Sequence, residues 1–528
     1  MQDYPSIFND AIGPVMRGPS SSHCAAALRI GRLARDLMDG HLRHVRVEFD
    51  PTGSLATTHQ TQGSDMGLCG GLLGWDATDE RLASSVPAIA EAGIEVVFLV
   101  TEIGATHPNT YRLTLRNADE THVLTAISTG GGMIEVIEID GARVSIRGDT
   151  YETLLFVRGD PGSLVQALAT WIEADAYLAD AILGHAGAGV DFVEVKAQRF
   201  LTDELCTRSG AAFEIPQIRT LSPVLPVLSR QNLRVPFITC DEMTAYNDDK
   251  GLLLWELACH YESVRGNLTH EQVLSQMQET VRIMRSAIRQ GLAGTDYADR
   301  ILGQQSEGFR RALADGQLLD GGILNRMILY VTALMEVKSA MGVFVAAPTA
   351  GACGGLPGAC LGAVDALGLD VTEAAKAMLA AGLVGVFIAA RATFAAEVAG
   401  CQAECGAGSA MAAAALVTLA GGTAAQAVSA ASMALQNILG LICDPVANRV
   451  EVPCLGRNVM AASNALACAN MALAGYDAVV PLDEVIETML RVGESLPGAL
   501  RCTALGGLSV TRASREIEAR LNRGAEVR

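Results

Sequence analysis

The sequence predicts an α+β fold in three parts: an α+β unit over about 1–142, a small βαβ unit over 143–200 and an all-helical unit over 201–528. Three observations carry this. Helix and strand patterns alternate over the first 140 or so residues. A strand–turn–helix–strand pattern follows up to about Ala197. From about Leu201 strand patterns vanish and helical ones run to the end, with Ala, Gly and Cys concentrated in the last third. In order, His23–Met38 has apolar residues at helical spacing (Ala27, Ile30, Leu33, Leu37), and Val45–Phe49 alternates as a strand does. Ile94–Val100 reads as a buried strand, and Tyr111–Arg116 and Ile134–Ile139 alternate cleanly. In the second unit Thr153–Val157 reads as a strand, Pro161-Gly162 suits a tight turn into a helix over Leu164–Ile172, and Phe192–Val195 reads as a closing strand. Helices are expected over Val273–Leu292, Leu324–Met341 and Asp483–Val492, with a frayed one from Arg512 to Arg528.

Composition bounds the function. Of 528 residues, 50% are hydrophobic but only 5% aromatic, and 18% are charged against about 25% in ordinary domains. Such a chain buries a large core of small residues and is not disordered. The net charge of −19 repels phosphate backbones, so nucleic acid is not an expected partner. Between Glu404 and Asp444 no residue is charged, a length that suffices for a membrane helix. Gly421-Gly422-Thr423 interrupts it and polar residues punctuate it, so buried core helices are expected and no membrane. The N-terminus has no basic region followed by an apolar run, so no export signal is expected, and a cytoplasmic location with reduced thiols follows for the 13 cysteines.

Several segments carry candidate chemistry. Cys401, Cys443 and Cys454 lie in the last third, the latter two beside Pro445 and Pro453. Their thiolates suit zinc or an iron–sulfur cluster, although no compact C-x-x-C spacing exists and buried packing explains most cysteines equally well. Gly18-Pro19-Ser20-Ser21-Ser22-His23 joins a turn, three hydroxyls and a histidine at a helix start. It is a carboxylate cradle with an acid or base, or simply a cap. Gly53-Ser54 with Gln62-Gly63-Ser64-Asp65, and Thr349-Ala350-Gly351 before Cys353-Gly354-Gly355, read as anion loops or plain turns, and Ser128–Gly132 is a weaker third.

Together these segments resemble iron–sulfur L-serine dehydratases. GPSSSH, SLA…GSD and STGGG are similar to that family's β-domain. APTAGACGGLPG, EVAGCQAECGAGSAMAAAAL and CDPVANRVEVPCLGRNVMAASNALACANMALAG are similar to its α-domain, and Asp160-Pro161-Gly162 resembles an ACT-type module. The resemblance implies a [4Fe–4S] cluster on Cys401, Cys443 and Cys454, with one iron open to the substrate hydroxyl. It implies a lyase that converts L-serine to pyruvate and ammonia and is oxygen-sensitive. His23 and Ser22 are the implied catalytic residues. Substrate contacts fall on Ser20, Ser21, Ser22, Gly53, Ser54, Ser64, Asp65, Thr349, Ala350, Gly351 and Lys338. The small-molecule substrate is an amino acid, and ACT modules pair, so a homodimer is expected. Three positions depart from the family pattern. Gln62 stands where a histidine is usual, Lys338 replaces a neutral polar residue, and the chain ends Gly524–Arg528 without the cysteine that caps the open iron in some relatives. These leave room for L-threonine, L-cysteine or a hydroxy acid as substrate. Two other classes remain at this point: a pyridoxal-phosphate enzyme on Lys338, and a non-catalytic amino-acid sensor.

Overall fold

The computed structural model describes residues 4–187 and 189–525. The last three residues, part of the chain end read above, lie outside the described residues.

The N-terminal half is built on a six-stranded sheet. After β1 (Val15–Met16) and α1 (Ala26–Leu37) come β2 (His44–Phe49), α2 (Ser64–Leu72), β3 (Glu95–Val100), β4 (Thr110–Arg116), β5 (Thr121–Gly130), β6 (Met133–Ile139) and β7 (Ala142–Ile146). The order is β3-β2-β4-β5-β6-β7, parallel only between β2 and β3. Strand alternation sends Tyr111, Leu113 and Leu115 of β4 and Leu124 and Ala126 of β5 to one buried face, where the apolar stripe of α1 covers them. The helices α1 and α2 touch backbone to backbone. A Cβ on Gly67 would stand 2.1 Å from the Cys24 carbonyl oxygen, and one on Gly71 2.1 Å from that of Leu28.

A second, four-stranded sheet follows: β8 (Tyr151–Val157), α3 (Pro161–Ala174), β9 (Ala179–Ala186), β10 (Asp191–Ala197), α4 (Asp203–Ala212) and β11 (Gln217–Leu221). Its order is β11-β8-β10-β9, and every pair is antiparallel. Asp160 caps α3 by accepting from the backbone of Gly162 at 3.0 Å and Ser163 at 3.1 Å, with Pro161 in the first turn. The expected closing strand, β10, is an inner one. The outer strand β11 lies past the boundary expected at 200, so the segment after 200 is not all-helical. Five residues with only two apolar side chains, Ile218 and Leu221, gave no strand signal.

The helical half contains α5 (Leu254–Gly266), α6 (His270–Ala293), α7 (Ile323–Ser339), β12 (Phe344–Val345), α8 (Gly355–Leu367), α9 (Val371–Arg391), α10 (Cys405–Leu419), α11 (Ala424–Gln436), α12 (Cys454–Leu473), α13 (Leu482–Ser495) and α14 (Arg512–Ala525). At its centre, α9 is long and apolar enough to cross a membrane, yet 78% of its 18-residue apolar window is buried inside the molecule. Small residues explain how it packs. A Cβ on Gly382 would stand 2.5 Å from Ile7 Cγ2, and one on Gly385 2.5 Å from Ala11 Cβ. The N-terminal turn Ile7–Ala11 therefore sits in the helical core, although its sequence position lies in the first unit. Buried Glu262 holds it, accepting from Ser6 Oγ at 2.5 Å and from the Ile7 backbone at 2.8 Å. Strand β12, a second exception to the all-helical expectation, pairs antiparallel with β1 and joins the halves again.

Candidate active site

The turn Ser21–Ala25 enters α1 just where α2 presses against it, and this presents Ser20–His23 to the helical half. His23 is fully buried. Its Nε2 lies 2.7 Å from Thr58 Oγ1, and its Nδ1 lies 3.0 Å from Ser20 Oγ and 3.3 Å from Ser22 Oγ. Ser22 Oγ donates to Glu397 Oε1 at 2.7 Å, and the same oxygen is 3.5 Å from His23 Nδ1. Burial lowers the His23 pKa against the pull of Glu397. A neutral ring shares one N–H and one lone pair among these hydroxyls.

The facing loop is fixed by two polar side chains. Ala350 N donates to Ser21 Oγ at 3.1 Å, and Thr349 Oγ1 donates to Glu404 Oε1 at 2.7 Å. A Cβ on Gly351 would stand 2.7 Å from that same carboxylate oxygen, so glycine admits the close approach. Burial raises Glu404 to about 8, and Cys401 and Glu397 add to the effect. Asn458 donates to the carbonyls of Gly351 and Cys454, both at 2.8 Å, and accepts from Gly355 N at 2.8 Å. One amide thus ties the glycine loop to the start of α12.

The three expected cysteines meet around this point. Cys401, Cys405, Cys443 and Cys502 share one buried cluster, and Cys454, opening α12, lies within electrostatic reach of Cys401. Cys405, expected as packing, hydrogen-bonds Cys401. With Arg457 it brings the Cys401 thiol down to about 7 against burial. Cys443 pairs with Cys502, a bond that with burial raises the Cys443 thiol, and their backbones also bond, Cys502 N to Cys443 O at 3.1 Å. Among the described residues no three His, Cys, Asp or Glu side chains close on a single-ion site. A cluster is a larger body, and the donor chemistry fits one. Several buried thiols lie clustered, and Arg457 and Lys338 bear on them as cations.

Other expected residues fall differently. A cavity of about 300 Å³ between the halves is lined by Gly53, Ser54, His107, Glu397 and Arg501. Ser54 Oγ also donates to the Cys502 carbonyl at 2.7 Å. Ser64 and Asp65 are not brought there. Ser64 pairs with the Tyr111 hydroxyl at 2.9 Å, and Asp65 with His59 Nδ1 at 2.6 Å. Gln62 reaches Asn448 at 2.9 Å and the Cys502 sulfur at 3.5 Å. Lys338 is buried, and its ammonium donates to the Val450 carbonyl, in the loop that leads to Cys454. Glu397, Glu404, Arg501 and Asn458 were not singled out by sequence reasoning. Glu397 and Glu404 do lie inside the cysteine-bearing segment.

Known proteins share this arrangement's sequence. A family model described as "Serine dehydratase alpha chain" matches residues 249–509, which include Lys338, Thr349–Gly351, Glu397, the five thiols and Arg501. The probable L-serine dehydratase alpha chain of Bacillus subtilis is 37% identical over 289 residues, 55% of this chain and 96% of that protein. The L-serine dehydratase alpha chain of Peptoniphilus asaccharolyticus is 35% identical over 283 residues, 53% of this chain and 96% of that protein. The chain belongs to the serine dehydratase family. It is also 39% identical over 166 residues, 31% of its length, to the probable L-serine dehydratase beta chain of B. subtilis, of which it covers 74%. This serine dehydratase therefore joins in one polypeptide what that bacterium divides between two chains.

Proposed function

We propose that the protein is a lyase that removes water from L-serine, the enamine product then hydrolysing to pyruvate and ammonia, with a [4Fe–4S] cluster on Cys401, Cys443 and Cys454. One observation carries this reading: Cys401 and Cys443, from separate segments, share one buried cluster with Cys454 in electrostatic reach of Cys401, while Glu397, a lining residue of the cavity between the halves, accepts from Ser22 of the Ser20–His23 turn. The reported relatives are named for L-serine, so threonine, cysteine and hydroxy acids are set aside. When bound, the cluster supplies a Lewis acid for the serine hydroxyl. The chain's own residues do the rest. Ser22 and Glu397 form a hydrogen-bonded pair at the cavity, and His23, with both ring nitrogens engaged, positions Ser20, Ser22 and Thr58. The carbonyl-bound Lys338 is held by Val450, which argues for a charge-balancing role and against a Schiff base. The βαββαβ unit with order β11-β8-β10-β9 supports an ACT-like reading, and with it a homodimer. A chain of net charge −19 working on a small amino acid in the cytoplasm needs no nucleic acid or membrane.

Anaerobic purification followed by iron and sulfide analysis tests this. About four irons per chain and pyruvate release from L-serine are expected, and Cys454→Ser should lose the iron. Colourless, iron-free protein with full activity after aerobic purification would overturn it.

A further inference from the structure

Buried polar atoms in folded proteins nearly always have partners. In this chain two that lack them belong to residues that line the cavity between the halves. Glu397 is only 5% exposed, and its Oε2 has no hydrogen-bond partner while Oε1 is held by Ser22. Arg501 donates from one terminal nitrogen to the Val398 carbonyl at 3.2 Å, and its buried Nε is unpartnered. Both residues line the same cavity of about 300 Å³. Both amide atoms of Asn109 and Oγ of Ser128 are also buried without partners, and Ser128 N bonds the Asn109 carbonyl at 3.0 Å. Asn109 directly follows the cavity residue Pro108. An unpartnered buried carboxylate oxygen and an unpartnered guanidinium N–H cost free energy on folding, about 1–3 kcal/mol for a typical buried group and more for charged ones. Function is the usual reason for such a cost.

We infer that Glu397 and Arg501 form a two-ended clamp for a free α-amino acid, Glu397 Oε2 accepting from the α-ammonium and Arg501 Nε donating to the α-carboxylate. The inference rests on the amino-acid lyase reading and adds the residues that set its substrate class. Opposite charges lining one cavity select a zwitterion. An amine without a carboxylate, or an acid without an amine, satisfies only one end and leaves the other buried and unpaired. Glu397 sits in the helical turn Ala396–Ala399 just before Cys401, and Arg501 pairs with Cys443, so the clamp is fixed to the cysteine-bearing framework.

The test uses anaerobic holoenzyme and two inhibitors that each carry one end of serine: ethanolamine, with the ammonium and hydroxyl, and L-glycerate, with the carboxylate and hydroxyl. Glu397→Gln should raise KM for L-serine and Ki for ethanolamine about 10- to 100-fold and leave Ki for L-glycerate unchanged. Arg501→Gln should do the reverse. Where either fails to fold or to hold iron, Glu397→Asp and Arg501→Lys keep the charge and are expected to give the same ordering of the two probes. Variants that weaken both probes equally, or neither, overturn the clamp, as does a wild-type enzyme that neither probe inhibits. Wild-type protein that does not consume L-serine fails the functional reading itself. Wild-type turnover with unaltered variants fails the clamp alone.

Discussion

Ser22 donates its single proton to Glu397, so toward Ser20 and His23 its oxygen can only accept. Ser22→Ala removes this charge-assisted bond. It should lower kcat/KM for L-serine about 10- to 100-fold, the equivalent of about 1.5–3 kcal/mol, as read by a pyruvate assay. Ser22→Thr should recover part of it. At this scale the sequence was legible where identity and context coincided. The Ser20–His23 turn and Cys401, Cys443 and Cys454 are brought to one place. It was misleading at Ser64 and Asp65, which start α2. The helix turns Ser64 to the Tyr111 hydroxyl and Asp65 to His59, because the core between α2 and the sheet offers those partners first. Glu397, Arg501 and Asn109 left no sequence signal, since a charged or amide residue announces a cavity only once distant segments have closed around it.

Between elements, the contact of α1 with α2 decides where the Ser20–His23 turn points. Alanine is ordinarily favoured over glycine in a helix by about 1 kcal/mol. At Gly67 the added methyl would meet the Cys24 carbonyl at 2.1 Å, and a backbone carbonyl cannot swing aside. Gly67→Ala is therefore expected to destabilise by about 1–3 kcal/mol in denaturant unfolding and to lower activity with it. Periodicity recovered most strands of the first sheet and the long helices. It missed the short β1 and β12, β5, whose end was read as the Ser128–Gly132 loop, and β7, β9 and β11; in β9 exposed Leu183, Gly184 and Ala186 break the alternation. Pairing with better-patterned neighbours, not local preference, makes β5, β7, β9 and β11.

Across the whole molecule, a buried ionic group joins the second sheet to the first. Lys196 Nζ lies 2.9 Å from Glu152, 2.9 Å from Glu194 and 2.9 Å from the Ser145 carbonyl. Burial raises Glu152 to about 8, with Lys196 only partly opposing, so it holds its proton at neutral pH. Burial acts on Glu194 too, but the His185 bond and the Lys196 charge outweigh it and hold that carboxyl below its ordinary value. A folded-state pKa above the ordinary 4.5 means the contribution is complete at low pH and is lost as pH rises through about 8. Wild-type stability should thus fall between about pH 4.5 and 8 and level off above, and Glu152→Gln should flatten that fall, as read from urea midpoints. Lys196→Met, which takes the cation from buried Glu194 and leaves it only His185, should cost about 3 kcal/mol. The N-terminal turn has a different consequence. Ile7–Ala11 is lodged beside Gly382 and Gly385, and Glu262 accepts from Ser6 Oγ at 2.5 Å and from the Ile7 backbone at 2.8 Å. The peptide link between the halves is then a convenience of synthesis rather than a fastening. Chain cut at exposed Gln231–Asn232 should migrate as one particle and come apart only in denaturant, the two fragments reassembling as separately made subunits do.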